Sequence, residues 1–192
     1  MGKMKQLLEQ YGLDAALSLE EIPKIDLYMD QVIQLFENKF ADSKRNEEEK
    51  VLTKTMINNY AKGKLIFPIH NKKYSREHLI LISLIYQLKG ALSINDIKTT
   101  LDGLNKRILK EDIDLEAFYN SYLNLTGKST EQFKAEMERR EKEVRNEIES
   151  NSSYLEQVMM ISSLVHMSNL YRKIAEKLVD EIIVEKEGKR QK

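Results

Sequence analysis

Apolar residues recur along this chain at helical spacing, with few interruptions. Met4, Leu7, Leu8 and Tyr11 share one side of a short amphipathic helix over residues 3–17, interrupted at Gly12. Ser18 followed by Glu21 has the spacing of a capping box, and Pro23 stands where a first helical turn tolerates it. From Ile25 the series Tyr28, Val32, Leu35, Phe36 and Phe40 predicts a helix of about four turns. Residues 41–50 have no apolar period and read as an exposed loop or a frayed helix end.

Thr53 is a suitable N-cap for a short helix over residues 54–62, and Gly63 a suitable end. Pro68 bars a helix in the stretch that follows, and Asn71 suits a tight turn, which predicts two very short strands or an extended loop. Ser75 then starts a helix through Lys89, ended by Gly90, with apolar residues on nearly every side, as a central buried helix requires. Ser93 and Asp96 cap the next helix, whose Ile94, Ile97, Leu101, Leu104 and Ile108 form one stripe. Asp114 can cap a helix bearing Leu115, Phe118, Tyr119, Tyr122 and Leu123, with Gly127 as its end. Ser129 with Gln132 opens another, running to Ser150, mostly charged and with a narrow seam of Phe133, Met137, Val144 and Ile148. The last helix is expected over Tyr154 to Val184, about 45 Å at 1.5 Å per residue. Leu164, Met167, Tyr171, Ile174, Leu178 and Ile182 repeat along it in threes and fours, the spacing of a packing seam, and are assigned to dimerisation.

Charge changes this picture. The 192 residues carry no net charge, but residues 51–110 hold eleven Lys and Arg against Glu77, Asp96 and Asp102, leaving +8 there and −8 elsewhere. A neutral chain with its positive charge gathered in one third of its length points that third at a polyanion. The absence of cysteine excludes disulfides, thiolate metal sites and a cysteine nucleophile. No basic-then-apolar leader opens the sequence, and the longest nearly apolar run, residues 79–88, is too short for a bilayer. A soluble cytoplasmic protein without a membrane contact is the expectation.

Helical spacing divides the 54–62 helix into an inward set, Met56, Ile57 and Tyr60, and an outward set, Lys54, Thr55, Asn58, Asn59 and Lys62. The outward types suit a DNA groove: Asn pairs in bidentate fashion with adenine, Thr meets bases or phosphates, and Lys neutralises phosphates. The competing reading is a polar surface helix. The turn that follows gathers His70, Asn71, Lys72 and Lys73, which suits a grip on the phosphate backbone or a minor groove, or simply a solvated loop. Lys62, Lys64, Lys72, Lys73 and Arg76 are the expected phosphate contacts, with Asn71 at the tip.

Residues 52–68 resemble the recognition helix and first wing strand of MerR-like regulators, through Leu52, Thr53, Ile57, Tyr60, Lys62, Leu65, Ile66 and Pro68. Tyr74, Leu79, Ile85, Leu88, Ser93, Ile94, Ile97 and Leu101 continue the likeness. Asn58 and Asn59 stand where that family has Arg and Tyr, Gly63 is displaced by one position, and the wing is shorter. From about Ile22 to Ile183 the chain looks like the bacterial domain of unknown function 1836 family. That resemblance implies a MerR-like winged helix-turn-helix with a helical C-terminal part.

Enzyme readings have little to stand on. His70, His78 and His166 lack a second ligand at metal spacing, and no phosphate loop, nucleophile elbow or carboxylate pair is present. No catalytic residue, metal or cofactor is assigned. The expected architecture is all-α with a minimal β wing: an N-terminal helical segment (1–20), a winged helix-turn-helix (21–110) and a helical dimerisation or effector module (111–192) with a long terminal helix. The expected function is transcriptional regulation by a homodimer on double-stranded DNA. The alternative is an interaction module that keeps the fold but binds a protein through its C-terminal helices. A small-molecule effector would be hosted by the helices of Tyr119, Tyr122, His166 and Tyr171.

Overall fold

The computed structural model describes residues 3–10, 12–13, 15–148 and 152–190. Among them are helices α1 (Lys3–Gln10), α2 (Met29–Lys39), α3 (Lys54–Lys62), α4 (Arg76–Leu88), α5 (Ile94–Leu109), α6 (Leu115–Glu147) and α7 (Ser153–Arg190). Two short strands, β1 (Leu27–Tyr28) and β2 (Lys73–Tyr74), pair antiparallel with Leu27 opposite Tyr74 and Tyr28 opposite Lys73. No helix among the described residues is long and apolar enough to cross a membrane.

The main core is built around α4, where every residue from His78 to Ile85 is buried. Against it pack Leu17, Ile22, Leu27, Val32, Phe36, Phe40, Ile57, Tyr60, Leu65, Ile97, Leu101 and Tyr119. A second, smaller core joins Met137 and Val144 of α6 to Met160 of α7, with Met4 and Leu8 of α1 and Leu164 packed onto it. Tyr11 lies outside the described residues.

Several boundaries differ from the sequence expectation, beginning with residues 15–17, which were expected in the first helix and are not helical. Ser18 and Glu21 do make the reciprocal capping bonds, Ser18 N to Glu21 Oε2 at 2.8 Å and Glu21 N to Ser18 Oγ at 3.3 Å. They close a single turn rather than start a helix, and α2 begins only at Met29. Residues 27–28 are taken by the strand pair with β2, so Ile25, expected on the inward face, is 70% exposed. Finally, Gly127 does not divide α6, which runs unbroken through it. Ser129, expected as a cap, instead donates its hydroxyl to Leu125 O at 3.0 Å, as Thr130 does to Thr126 O, so both hydroxyls are satisfied inside the helix.

α6 and α7 pack together, and the far half of α7 returns to α5, where Lys186 pairs with Asp102 at 3.0 Å and donates to Thr99 O at 3.1 Å. The seam expected for dimerisation is therefore partly used within the chain. Leu164 packs on the second core, while Tyr171, Ile174 and Leu178 stay exposed. Met167 and Ile182 are half-buried.

Candidate nucleic-acid interface

Thr53 caps α3 by accepting the Met56 amide at 3.2 Å, and the buried Ile57 and Tyr60 seat the helix on the core. The faces divide as the spacing requires. Lys54, Thr55, Asn58, Asn59 and Lys62 are exposed, while Met56 is half-buried. The side-chain amides of Asn58 and Asn59 make no hydrogen bond with any described residue, which leaves both donors and both acceptors for a groove.

The approach to α3 is tied down from two sides. Glu37 of α2 accepts the Val51 amide at 2.7 Å and also the Lys44 ammonium, while Lys89 of α4 donates to Val51 O at 2.9 Å. Burial alone would raise the Glu37 carboxyl, but the Lys44 ammonium and the Leu52 and Val51 amides hold it below the ordinary carboxylate range. Burial lowers the Lys89 ammonium, opposed by the charges of Glu49 and Glu37. The long connection from α2 to α3 thus delivers Thr53 in a defined place.

The end of α3 carries an inversion of the usual pattern. The Leu65 amide bonds Tyr60 O at 2.9 Å and the Lys64 amide bonds Ala61 O at 3.1 Å, the paired arrangement that closes many helices. That arrangement needs one left-handed residue, usually glycine. Here it is Lys64, at φ 59°, while Gly63 has φ −72°. Gly63 serves another end: a Cβ on it would lie 2.7 Å from Leu65 Cδ1 and 2.9 Å from Asn59 O. Glycine is required for closeness, and lysine bears the unfavourable torsion.

The same exception recurs at the hairpin tip. Lys73 N bonds His70 O at 3.0 Å, and the two residues between, Asn71 and Lys72, are both left-handed, at φ 53° and 58°. This is the torsion pattern of a tight type I′ turn, favoured by Asn-Gly but occupied here by Asn-Lys. Left-handed torsion costs a non-glycine residue roughly 1–2 kcal/mol. Lys64 and Lys72, both exposed, are thus the two lysines that hold such torsions.

The structure brings the two ends of this surface together through residues whose role the periodicity did not show. Lys54 at the start of α3 pairs with Asp30 at 2.8 Å. Two residues before Asp30, the Tyr28 ring lies 5.5 Å below the Lys73 ammonium. The first turn of α2 is therefore flanked by α3 on one side and the β2 hairpin on the other. Lys62, Lys64 and Lys72 make no ion pair with any described residue and stand exposed.

Arg76, expected on phosphates, is differently employed. Its guanidinium donates to Ile22 O, to Leu19 O at 2.8 Å and to Glu116, with only 17% of the side chain exposed. It clamps the 19–22 turn and α6 to the start of α4. His78 is likewise internal: Nδ1 accepts the Ser75 amide at 3.1 Å, Nε2 faces Phe67 O at 3.3 Å, and the ring lies 3.8 Å from that of Phe67. Burial lowers its pKa, with the Phe67 carbonyl and the Glu77 charge opposing. Among the described residues no group of three His, Asp or Glu could hold a metal ion.

The residues expected to host an effector are not gathered. Tyr119 and Tyr122 lie in or on the main core with ring centroids 6.0 Å apart, whereas His166 and Tyr171 are exposed on α7. An apolar cleft of about 670 Å³ between α6 and α7 is lined by Phe133, Met137, Leu164, Met167 and Tyr171.

A family model for a domain of unknown function, DUF1836, matches residues 17–122, more than half of the chain, and the chain belongs to that family. The match begins at Leu17 and ends just past Tyr119, the first and last buried residues of the main core. No curated protein and no solved structure matches the chain.

Proposed function

We propose that this member of the DUF1836 family is a sequence-specific DNA-binding protein that regulates transcription as a homodimer, without catalysis. In this reading α2 and α3 act as a helix-turn-helix of MerR-like type, with α3 in the major groove and the hairpin at Asn71 and Lys72 as a short wing. The observation that carries it is the exposed, unpartnered set of Asn58, Asn59, Lys62, Lys64 and Lys72, two of whose lysines hold left-handed torsions. Asn58 and Asn59 read base edges, Thr55 positions, and Lys54, Lys62, Lys64, Lys72 and Lys73 neutralise phosphates. Lys54 exchanges Asp30 for a phosphate on binding, because both are exposed and such a pair is worth under about 1 kcal/mol.

The test is selection of bound duplexes from a random pool, followed by titration of the selected site at several salt concentrations. A defined motif and a steep fall of log affinity with log salt are expected. Asn58→Ala should cost about 1–3 kcal/mol and relax the motif at one position. Failure to bind any duplex at low salt overturns the proposal. A second reading, a protein-interaction module acting through the C-terminal helices, is favoured by the exposed apolar side chains of α7 and would then take its place.

A further inference from the structure

Among the described residues, the first half of α7 carries an exposed apolar stripe beside the seam that periodicity picks out. Tyr154, Val158, Ile161 and Val165 follow one another in steps of four, three and four, and are 71%, 41%, 54% and 54% exposed. Met160 and Leu164, about a quarter to a third of a turn round the helix from this stripe, pack on the second core with α6. A stripe at this spacing is the seam of a two-helix pairing. The exposed residues Tyr171, Ile174 and Leu178 form a shorter patch, bounded at one end by Leu164 on the second core and at the other by the return of α7 to α5.

Charge indicates what covers the stripe. Nearly a third of the chain is charged, yet residues 157–171 contain no Lys, Arg, Asp or Glu. A surface of that kind meets its own copy without like-charge repulsion. Continued along the helix, the spacing reaches Ser168 and then Arg172, the one charge on the stripe. Parallel pairing in register would set Arg172 against Arg172. Antiparallel pairing with Ile161 opposite the second copy's Val165 sets Val158 opposite its Ser168 and Arg172 over its Tyr154 ring, where a cation is favoured.

We infer that this stripe is the homodimer interface, and that α7 pairs antiparallel with α7 of a second copy in that register. Each α7 then packs on both its own α6 and the second copy, giving a four-helix assembly at the two-fold axis. The pairing stands independently of DNA. Its consequence, two α3 faces related by a two-fold axis and hence a palindromic target, rests on the DNA-binding reading.

The experiment uses the full chain in the absence of DNA. Light scattering at micromolar concentration should give twice the 22.5 kDa chain mass for the natural sequence and a single chain mass for Ile161→Glu. Ile161 is exposed in the single chain, so the variant should keep its helical circular dichroism. Because the sequence has no cysteine, a chain carrying Val158→Cys can be mixed with one carrying Ser168→Cys and oxidised. Disulfide dimers should form in the mixture and not in either chain alone. A natural chain that stays monomeric, an Ile161→Glu chain that stays dimeric, or cross-links between two Val158→Cys chains would overturn the assignment. A monomeric natural chain would also remove the homodimer from the DNA-binding reading, an Ile161→Glu chain that stays dimeric would overturn this interface alone, and the DNA titration is decided by neither.

Discussion

The Tyr119 hydroxyl donates a 2.7 Å hydrogen bond to the Leu17 carbonyl, joining α6 to the segment before α2 across 102 residues of chain. Both residues are 1% exposed, so neither partner can turn to water instead. Burial pushes the Tyr119 phenol up to about 12.

Tyr119→Phe should therefore destabilise the chain by about 1–3 kcal/mol, because it leaves a buried carbonyl without a donor. The pKa raised on folding means that this stability is fully present below the ordinary tyrosine range and is lost as pH rises from about 10 towards 12. Denaturant melts of both chains at neutral pH and at pH 11 would read the two effects, and an unchanged midpoint for Tyr119→Phe at neutral pH would refute the first.

Lys64→Gly separates fold from function in one substitution. Glycine takes the left-handed torsion at φ 59° without cost, so the variant should gain about 1 kcal/mol or less in stability. Its affinity for the selected duplex should fall nonetheless, with the salt slope reduced by about one. Gly63→Ala next to it should destabilise, because the added Cβ meets Asn59 O at 2.9 Å.

Arg76 and Lys62 make a paired test of which cations face DNA. Arg76→Ala removes charged donors from Leu19 O and Ile22 O and should cost about 1.5–3 kcal/mol of stability, leaving the salt slope of DNA binding unchanged. Lys62→Ala should leave stability within about 0.5 kcal/mol and lower the slope by about one. Thermal melts and titrations of the two variants would reverse the assignment if the pattern is opposite.

Acid should loosen the junction between the hairpin and α4. The depressed pKa of His78 means that the unfolded chain takes up this proton at higher pH than the folded one. Stability falls as pH drops below about 6.5, the free histidine value, until the folded state is itself protonated. A His78→Gln chain, compared with the natural one in melts between pH 7.5 and 5, should show a smaller loss on acidification.

Much of the fold is legible in the sequence because it depends on local chemistry. Thr53 and Ser93 cap the helices they were expected to cap, and the apolar run of α4 is buried on all sides. The two faces of α3 follow from spacing alone. Where local signals failed, a partner distant in sequence had decided. Leu27 and Tyr28 fall inside the stretch expected to be helical from Ile25, yet they pair with Tyr74 and Lys73. Arg76 is indistinguishable in sequence from a phosphate contact, and only the arrival of the 19–22 turn and Glu116 withdraws it.

The chain itself determines which helices form, where its positive charge gathers and which face of α3 turns outward, since caps, periodicity and charge act over a few residues. The tertiary structure decides that Lys64 and Lys72 bear left-handed torsions, that Tyr28 and Asp30 link the hairpin to α3, and that α7 leaves an exposed apolar stripe beside its periodic seam. Each of these depends on a contact between segments far apart in the chain, and a surface is free only once every other segment has taken its place.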